Sequence, residues 1–436
     1  MKRIMVDMSA TLFHHGHIRL IKKASELGDV VIGLTTDEEI ETKKGYSPEL
    51  SYENRKEILE SIALVKEVVP TPWLISEEIL KLHDIDFLVH GDDNSNHIQK
   101  EKLVIFSRTN GISSTELRER AGRSMAQIKN KKLMLTPGPG AVPYEATKEL
   151  RPLFGRGDDD YTKMSDEVVE WIKGLSGQDE VVFAQGSATF GLELAARTFV
   201  RGNVLLISTG YYSDRLKQLL PNDCKVATCH YNEIETVKGK FDWVVCAYTE
   251  TSCAFKVNLQ KIRLKANDLG AFLYVDATGS IGLEEHHELA DVMAFSSCKG
   301  LFGITGAAFI AYKNYLEIND SEYFYFNLKT HIERRVTGPY HAIASLHGIM
   351  KIHNDIVRRV KASKKYVLDT WPDLLSYNNE EQPLLCTYIG AEVTSEEDDV
   401  VLYSPRSNLD GSVLCHFGEV HHDNVSLGTR ILVQEL

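Results

Sequence analysis

The chain has 436 residues, 43% of them apolar and 25% charged, an ordinary soluble globular make-up that is too long for a single core. A formal net charge of −13 leaves no basic footprint for nucleic acid, while a local basic pocket for a small anion stays open. No apolar run reaches the length of a membrane span, and the apolar run after Lys2-Arg3 ends too soon for a secretory signal, so the sequence predicts a cytoplasmic protein with neither membrane nor nucleic acid as partner. The seven cysteines (224, 229, 246, 253, 298, 386 and 415) lie in the second half without C-x-x-C spacing and read as buried, reduced thiols.

The first 120 residues alternate strand and helix patterns. A short strand precedes His14-His15-Gly16-His17, which opens an amphipathic helix carrying Ile18, Leu20, Ile21, Ala24 and Leu27. Residues 30–34 and 87–90 read as buried parallel strands, and Ser51 as the N-cap of a helix through Arg55, Ile58, Leu59 and Ile62. This is βαβ traffic and predicts a doubly wound sheet.

A helix start welcomes an anion, and Gly16 lets the backbone approach a phosphate closely. His14 and His17, one turn apart, can donate hydrogen bonds to a phosphorus centre gaining negative charge. His15 reads as a packing or specificity residue. A second anion-binding helix start follows, with Arg108 as a fixed positive charge, then Thr109, Gly111, Ile112, Ser113, Ser114 and Thr115 before Glu116-Leu117-Arg118.

These residues resemble the HxGH cytidylyltransferases over nearly all of residues 1–120, which implies a cytidylyltransferase domain over 1–122. The segment from Met8-Ser9 to His17 is most similar to the nucleotidyltransferase modules of phosphonate pathways. The resemblance implies that His14 and His17 contact the triphosphate of CTP and that the Arg108–Thr115 segment binds its far end. It implies basic phosphate contacts from Lys44 and Arg55, and a nucleotide edge at Ser9 and Gly91-Asp92-Asp93. The wider family has a glycine at Met8 and an aspartate at Thr11. With that carboxylate missing, Mg2+ is expected to be held mainly by the triphosphate, and its protein ligands stay unknown.

Residues 123–133 are polar and basic and read as a linker. Thr136-Pro137-Gly138-Pro139-Gly140 then opens a second α/β domain over 134–436, with strands near 180–184, 203–208, 242–248, 271–276 and 291–296. The acidic run 396–399 reads as a solvated loop. The histidine pairs 286–287 and 421–422 read as surface loops rather than metal ligands. Asp276 ends a buried strand, where a carboxylate can salt-bridge a pyridinium nitrogen. Lys299 lies at the end of the next strand as a Schiff-base candidate. Ser187, Ala188 and Thr189 precede an apolar helix, where a phosphate would sit.

In this order and spacing the set resembles fold-type I, class V aminotransferases, most closely the 2-aminoethylphosphonate–pyruvate type. The likeness runs from Leu135-Thr136-Pro137 through Thr249-Glu250-Thr251 to Gly418-Glu419-Val420. It implies pyridoxal 5'-phosphate as cofactor, with Tyr212 stacked on the ring and Thr251 on its O3′ side. Thr337 would come from a second subunit, hence a homodimer through this domain. That family places an arginine for the substrate carboxylate where this chain has Val413, so Arg334, Arg335 and Arg406 are the substitutes to consider, and the amino-acid donor is left open. The small subdomain, roughly 335–436, is expected to be shortened.

Together the halves predict a two-domain α/β enzyme. One half aminates phosphonoacetaldehyde to 2-aminoethylphosphonate, and the other transfers CMP from CTP to the product. The alternatives are the same chemistries on an amino-alcohol phosphate for surface polymer synthesis, or a cytidylyltransferase with a non-catalytic dimerisation domain.

Overall fold

The computed structural model describes residues 2–129, 132–139, 142–150, 157–416 and 431–435. The chain divides into two compact units, Met1–Met125 and Ala126–Leu436.

The first unit runs β1 (Arg3–Met8), α1 (His15–Ser25), β2 (Asp29–Thr35), α2 (Asp37–Lys44), α3 (Tyr52–Glu60), β3 (Val65–Thr71), α4 (Glu77–Leu82), β4 (Phe87–Gly91), β5 (Leu103–Phe106) and α5 (Ser114–Lys129). Its five strands are all parallel, in the order β3-β2-β1-β4-β5. Such a sheet is covered on both faces, which is why its central strands read as continuous apolar runs. Ile4, Val6 and Ile32 pack on one face, Met5, Val31 and Leu88 on the other. The order reverses between β2 and β4, so the edge where β1 ends is the topological switch point of a doubly wound sheet.

Ser51 caps α3 as expected, accepting a hydrogen bond from the Asn54 N–H. The burial on that helix differs from its apolar pattern. Leu59 is buried, Ile58 is exposed and the helix ends before Ile62. Arg55, expected at the phosphates, is buried at 1% exposure. It donates to the carbonyls of Ser9 (2.5 Å), Thr35 (3.0 Å) and Leu50 (3.0 Å) and pairs with Asp37 (2.5 Å). Every branch of the guanidinium is spent on backbone or carboxylate, so Arg55 ties the end of β2 and the start of α2 to the segments at Ser9 and Leu50. The stretch read as a linker is helical up to Lys129, and Leu133 already begins a strand.

The second unit contains β6 (Leu133–Leu135), α6 (Tyr144–Lys148), α7 (Asp159–Ser176), β7 (Glu180–Gln185), α8 (Ala188–Phe199), β8 (Asn203–Ser208), α9 (Tyr211–Leu219), β9 (Lys225–His230), β10 (Trp243–Ala247), β11 (Thr249–Glu250), β12 (Phe255–Lys256), α10 (Leu259–Leu269), β13 (Phe272–Asp276), β14 (Val292–Ser296) and β15 (Ala307–Tyr312). After these come α11 (Leu328–Ile332), α12 (Tyr340–Met350) and α13 (His353–Thr370). The remaining strands are β16 (Cys386–Ile389), β17 (Ala391–Thr394), β18 (Val400–Leu402), β19 (Ser412–Cys415) and β20 (Leu432–Glu435).

The main sheet has the order β7-β15-β14-β13-β10-β8-β9. Only β15 is antiparallel to its neighbours. Side chains alternate across the sheet: Val244, Cys246, Leu273 and Val275 enter one core, Val245 and Tyr274 the other. The later strands form two-stranded pairs, β16 with β19, β17 with β20, and β18 with β6.

Residues 396–398 are exposed, as read. The seven cysteines are free thiols, four of them buried. The His286-His287 reading is corrected: His287 is 1% exposed and lies 2.9 Å through Nε2 from Ser280 Oγ. Burial holds its imidazole down at about 4, so it is a neutral core histidine. His421 and His422 lie outside the described residues, and among the described residues no group of three potential ligands is placed to hold a metal.

Because Arg55 satisfies three carbonyls and one carboxylate at once, Arg55→Met should destabilise the first unit by at least about 2 kcal/mol. Hydrogen exchange of the β1 and β2 amides in the full chain measures this. Unchanged protection would remove Arg55 from that role.

Candidate active sites

The first site is a cavity of about 370 Å³ at the carboxyl edge of the first sheet. Its lining includes Ser9, His14, Gly16, His17, Lys44, Arg108, Thr109, Ile112, Ser113, Ser114 and Thr115 from the sequence-predicted set. Arg55, Asp92 and Gly111 are not in the lining, and His15 points to solvent.

His14 is the N-cap of α1. Its Nδ1 accepts the Gly16 N–H (3.2 Å), and the His17 Nδ1 accepts the His14 N–H (3.2 Å). Both Nδ1 atoms therefore act as acceptors, which leaves the ring proton of each neutral imidazole on Nε2, free to donate. The rings lie 3.9 Å apart. Burial, reinforced by His14, pushes His17 down to about 3. Burial and the neighbouring His15 lower His14. Two neutral donors thus face the cavity without the mutual repulsion of two imidazolium ions. A Cβ on residue 16 would stand 2.9 Å from the His14 ring, so glycine is what lets this reciprocal cap close.

Next to the α1 start, Ser113 Oγ caps the start of α5 through the Glu116 N–H (3.1 Å), and Ser114 Oγ donates to the Leu12 carbonyl (3.2 Å). Gly111 sits outside the cavity but takes φ +73°, the left-handed turn that lets the segment double back into α5. Arg108 is held by Asp93 (3.0 Å) and by its own N–H to Asp92 (3.4 Å). Asp92 therefore acts on the arginine. Lys44 Nζ reaches Ser9 Oγ at 3.3 Å and lies 5.2 Å from the Trp73 ring.

Among the lining residues not anticipated as site residues are Asp7, Trp73, His90, Asn96 and Arg118. Arg118 Nη2 donates to Thr11 Oγ1 (2.8 Å) and pairs with Glu49, so the hydroxyl at position 11 is engaged. Asp7 lies near the end of β1 at 9% exposure. Its Oδ2 accepts from Asn96 (2.9 Å) and stands 3.5 Å from His90 Nε2, while its Oδ1 is buried without a partner among the described residues. Burial raises its pKa, against the opposing pull of His90. The signal was present: a carboxylate at a buried strand end is the feature that singled out Asp276.

The second set collects at one edge for a topological reason. β7, β8, β10, β13 and β14 run parallel, and the candidates follow their carboxyl ends in turn. Ser187, Ala188 and Thr189 follow β7, Tyr212 follows β8, Thr251 follows β10, Asp276 ends β13 and Lys299 follows β14. Lys299 Nζ lies 5.4 Å from the Tyr212 ring centroid. Asp276 is 6% exposed. Its Oδ1 accepts the Thr278 N–H (2.9 Å), and among the described residues no cation pairs with it. The hydroxyls of Thr209, Thr249 and Thr278, each just past a strand end, are buried without partners among the described residues. The Ser187 side chain does not cap α8, leaving that helix start to an outside acceptor. An unpaired buried carboxylate, an uncapped helix start, a lysine and a facing aromatic ring fit pyridoxal phosphate.

Of the three arginines, Arg406 lies on this side, its Nη1 3.0 Å from the Tyr211 hydroxyl. Arg334 and Thr337 instead line a separate cavity of about 90 Å³ that none of the other cofactor candidates enters. Arg334 is paired with Asp166 (2.6 Å), and Arg335 with Glu333. Val413 is buried in β19, opposite Tyr388.

A folded pKa near 3 for His17, against an ordinary 6.5, means the unfolded chain binds the extra proton between those values. The first unit should therefore lose stability as pH falls from about 6.5 towards 3. His17 ring signals should stay fixed between about pH 5 and 8 with the proton on Nε2. Nitrogen-15 NMR of the imidazoles checks both. A titration inside that window would refute the geometry.

Residues 10–120 match the Cytidylyltransferase-like family. The chain is 39% identical over 125 residues to the glycerol-3-phosphate cytidylyltransferase of Bacillus spizizenii, spanning 27% of this chain and 96% of that protein. It is 25% identical over 262 residues to the 2-aminoethylphosphonate–pyruvate transaminase of Pseudomonas putida, spanning 52% of this chain and 70% of that protein. Among solved structures, an aspartate aminotransferase from Thermus thermophilus shares the fold at a TM-score of 0.57 and 15% identity, over 65% of this chain and 92% of that one. The chain thus belongs through its first unit to the cytidylyltransferase family, and joins to it a unit with the fold of the aminotransferases that is similar in sequence to 2-aminoethylphosphonate–pyruvate transaminases.

Proposed function

We propose that the chain is a bifunctional phosphonate-tailoring enzyme. The second unit aminates phosphonoacetaldehyde to 2-aminoethylphosphonate, and the first transfers CMP from CTP to that product. The observation that carries the reading is Asp7: a buried carboxylate that lines the cavity with one oxygen unpartnered among the described residues, where a substrate ammonium would gain an ion pair that a polyol hydroxyl would not. The homology of the second unit to a transaminase named for 2-aminoethylphosphonate supports the same acceptor.

In the first site a phosphonate oxygen attacks the α-phosphorus of CTP in line. The new P–O bond forms as the bond to the β-phosphate oxygen breaks, and pyrophosphate leaves. The Nε2–H groups of His14 and His17 meet the charge that develops on the α-phosphate oxygens. Arg108, Lys44 and the α5 start hold the leaving end. Mg2+ enters with the triphosphate.

In the second site bound pyridoxal phosphate supplies the electron sink for amino-group exchange. Asp276 would hold the ring nitrogen, Tyr212 the ring face and the α8 start the phosphate. The Lys299 amine moves the proton at the substrate carbon. Arg406 is the candidate anchor for the donor carboxylate, and Thr337 would serve a second copy in a homodimer. No described helix is long and apolar enough to cross a membrane, and a cytoplasmic setting accords with free thiols.

Pyrophosphate release from CTP should be fastest with 2-aminoethylphosphonate, slower with phosphoethanolamine and slowest with glycerol 3-phosphate. Asp7→Asn should lower kcat/KM for the two amines by about 10- to 100-fold, the value of one charged hydrogen bond, and leave glycerol 3-phosphate unaffected. No release with 2-aminoethylphosphonate sinks the acceptor assignment, and a preference for phosphoethanolamine moves the reading to amino-alcohol phosphates.

With phosphonoacetaldehyde, CTP and a panel of amino acids, mass spectrometry should find the CMP conjugate. Lys299→Ala should abolish amination while CMP transfer to added 2-aminoethylphosphonate persists. A chain that takes up no pyridoxal phosphate would leave the second unit as a non-catalytic module.

A further inference from the structure

Glu250 is completely buried, and among the described residues no lysine, arginine or histidine pairs with it. Its charge is met instead by hydrogen bonds at the start of α9. Oε2 accepts the Ser213 N–H (2.8 Å), and Oε1 accepts the Ser252 N–H (3.1 Å) and hydroxyl (2.6 Å). Ser252 Oγ in turn accepts the Tyr211 N–H (3.3 Å), and Ser213 Oγ accepts those of Thr209 (2.8 Å) and Gly210 (2.9 Å). Four donors around the start of α9, at 209, 210, 211 and 213, thus end on one carboxylate and two hydroxyls. A buried anion at a helix start is favoured by the dipole as well. The approach is close enough that a Cβ on Gly210 would stand 2.8 Å from Glu250 Cγ. The two ends of this network are functional candidates: Tyr212 on the helix it fixes, 5.4 Å from Lys299 Nζ, and Thr251, the residue next to Glu250.

We propose that Glu250 is a positioning residue of the second site, setting the start of α9 and with it the angle at which the Tyr212 ring faces the cofactor. This rests on the pyridoxal-phosphate reading above. A glutamine cannot replace the carboxylate, because its NH2 group would confront either the Ser213 N–H or the Ser252 N–H, donor against donor.

The test uses the full chain loaded with pyridoxal phosphate and reads the cofactor itself. Glu250→Gln should weaken cofactor affinity by roughly tenfold and reduce the visible circular dichroism of bound cofactor, which reports ring orientation. CMP transfer by the first unit stays unchanged as the control for folding. In a Tyr212→Leu background the same substitution should add little, since the side chain it orients is gone. An unaltered dichroism and affinity in Glu250→Gln, or an equal further loss in the Tyr212→Leu background, overturns the proposal. Should Glu250→Gln fail to fold, Ser252→Ala keeps the carboxylate and removes one hydroxyl, with its bonds to Glu250 Oε1 and the Tyr211 N–H. A smaller change of the same sign supports the proposal and none overturns it. If the unsubstituted chain takes up no pyridoxal phosphate, the cofactor reading fails first and takes this inference with it.

Discussion

Both sites depend on one constraint of parallel sheets. Strands that run the same way must be joined by crossover helices, and each helix then starts at the edge where the preceding strand ends. Its first N–H groups have no intrahelical partners, so that edge collects unpaired donors and positive dipole ends. In the first unit this places the starts of α1 and α5 on one cavity. In the second it places α8 and α9 beside Asp276 and Lys299. An anionic substrate or cofactor completes what the fold leaves open.

The two units meet the constraint differently. In the first, two of the donors at the start of α1 are satisfied by the cavity-lining histidines themselves, through the mutual cap of His14 and His17. In the second, α9 is closed by a buried carboxylate while α8 is left without a side-chain cap. The closed start supports an aromatic ring and the open start is free to bind. Within the first unit, burial favours the neutral form of two groups that face the cavity. It strips His17 of its charge and raises the pKa of Asp7, so each is poised to respond to an ion brought in by a ligand.

Much of this was legible in the sequence, because the signals were local. Helix caps, glycine positions and strand-end residues are fixed within a few neighbours, and they located His14, Gly16, His17, the 108–115 segment, Asp276 and Lys299. What stayed hidden depended on distant chain. Arg55 looked like a phosphate ligand, since nothing nearby shows that the Ser9 and Thr35 carbonyls, 46 and 20 residues away, absorb its guanidinium. His287 looked solvated until Ser280 and Tyr248 closed over it. Asp7 was overlooked because its significance lies in partners on another strand and loop, His90 and Asn96.

The reciprocal cap of α1 also bears on how such a site can change over generations. The same two rings start a helix and present the donors for chemistry, with a glycine between them that no other residue can replace without displacing the His14 ring. A substitution there is judged on two criteria at once, and few side chains meet both. Change in this cavity is therefore channelled to lining residues outside the cap, such as Asp7, Trp73 and Asn96, which no helix start depends on.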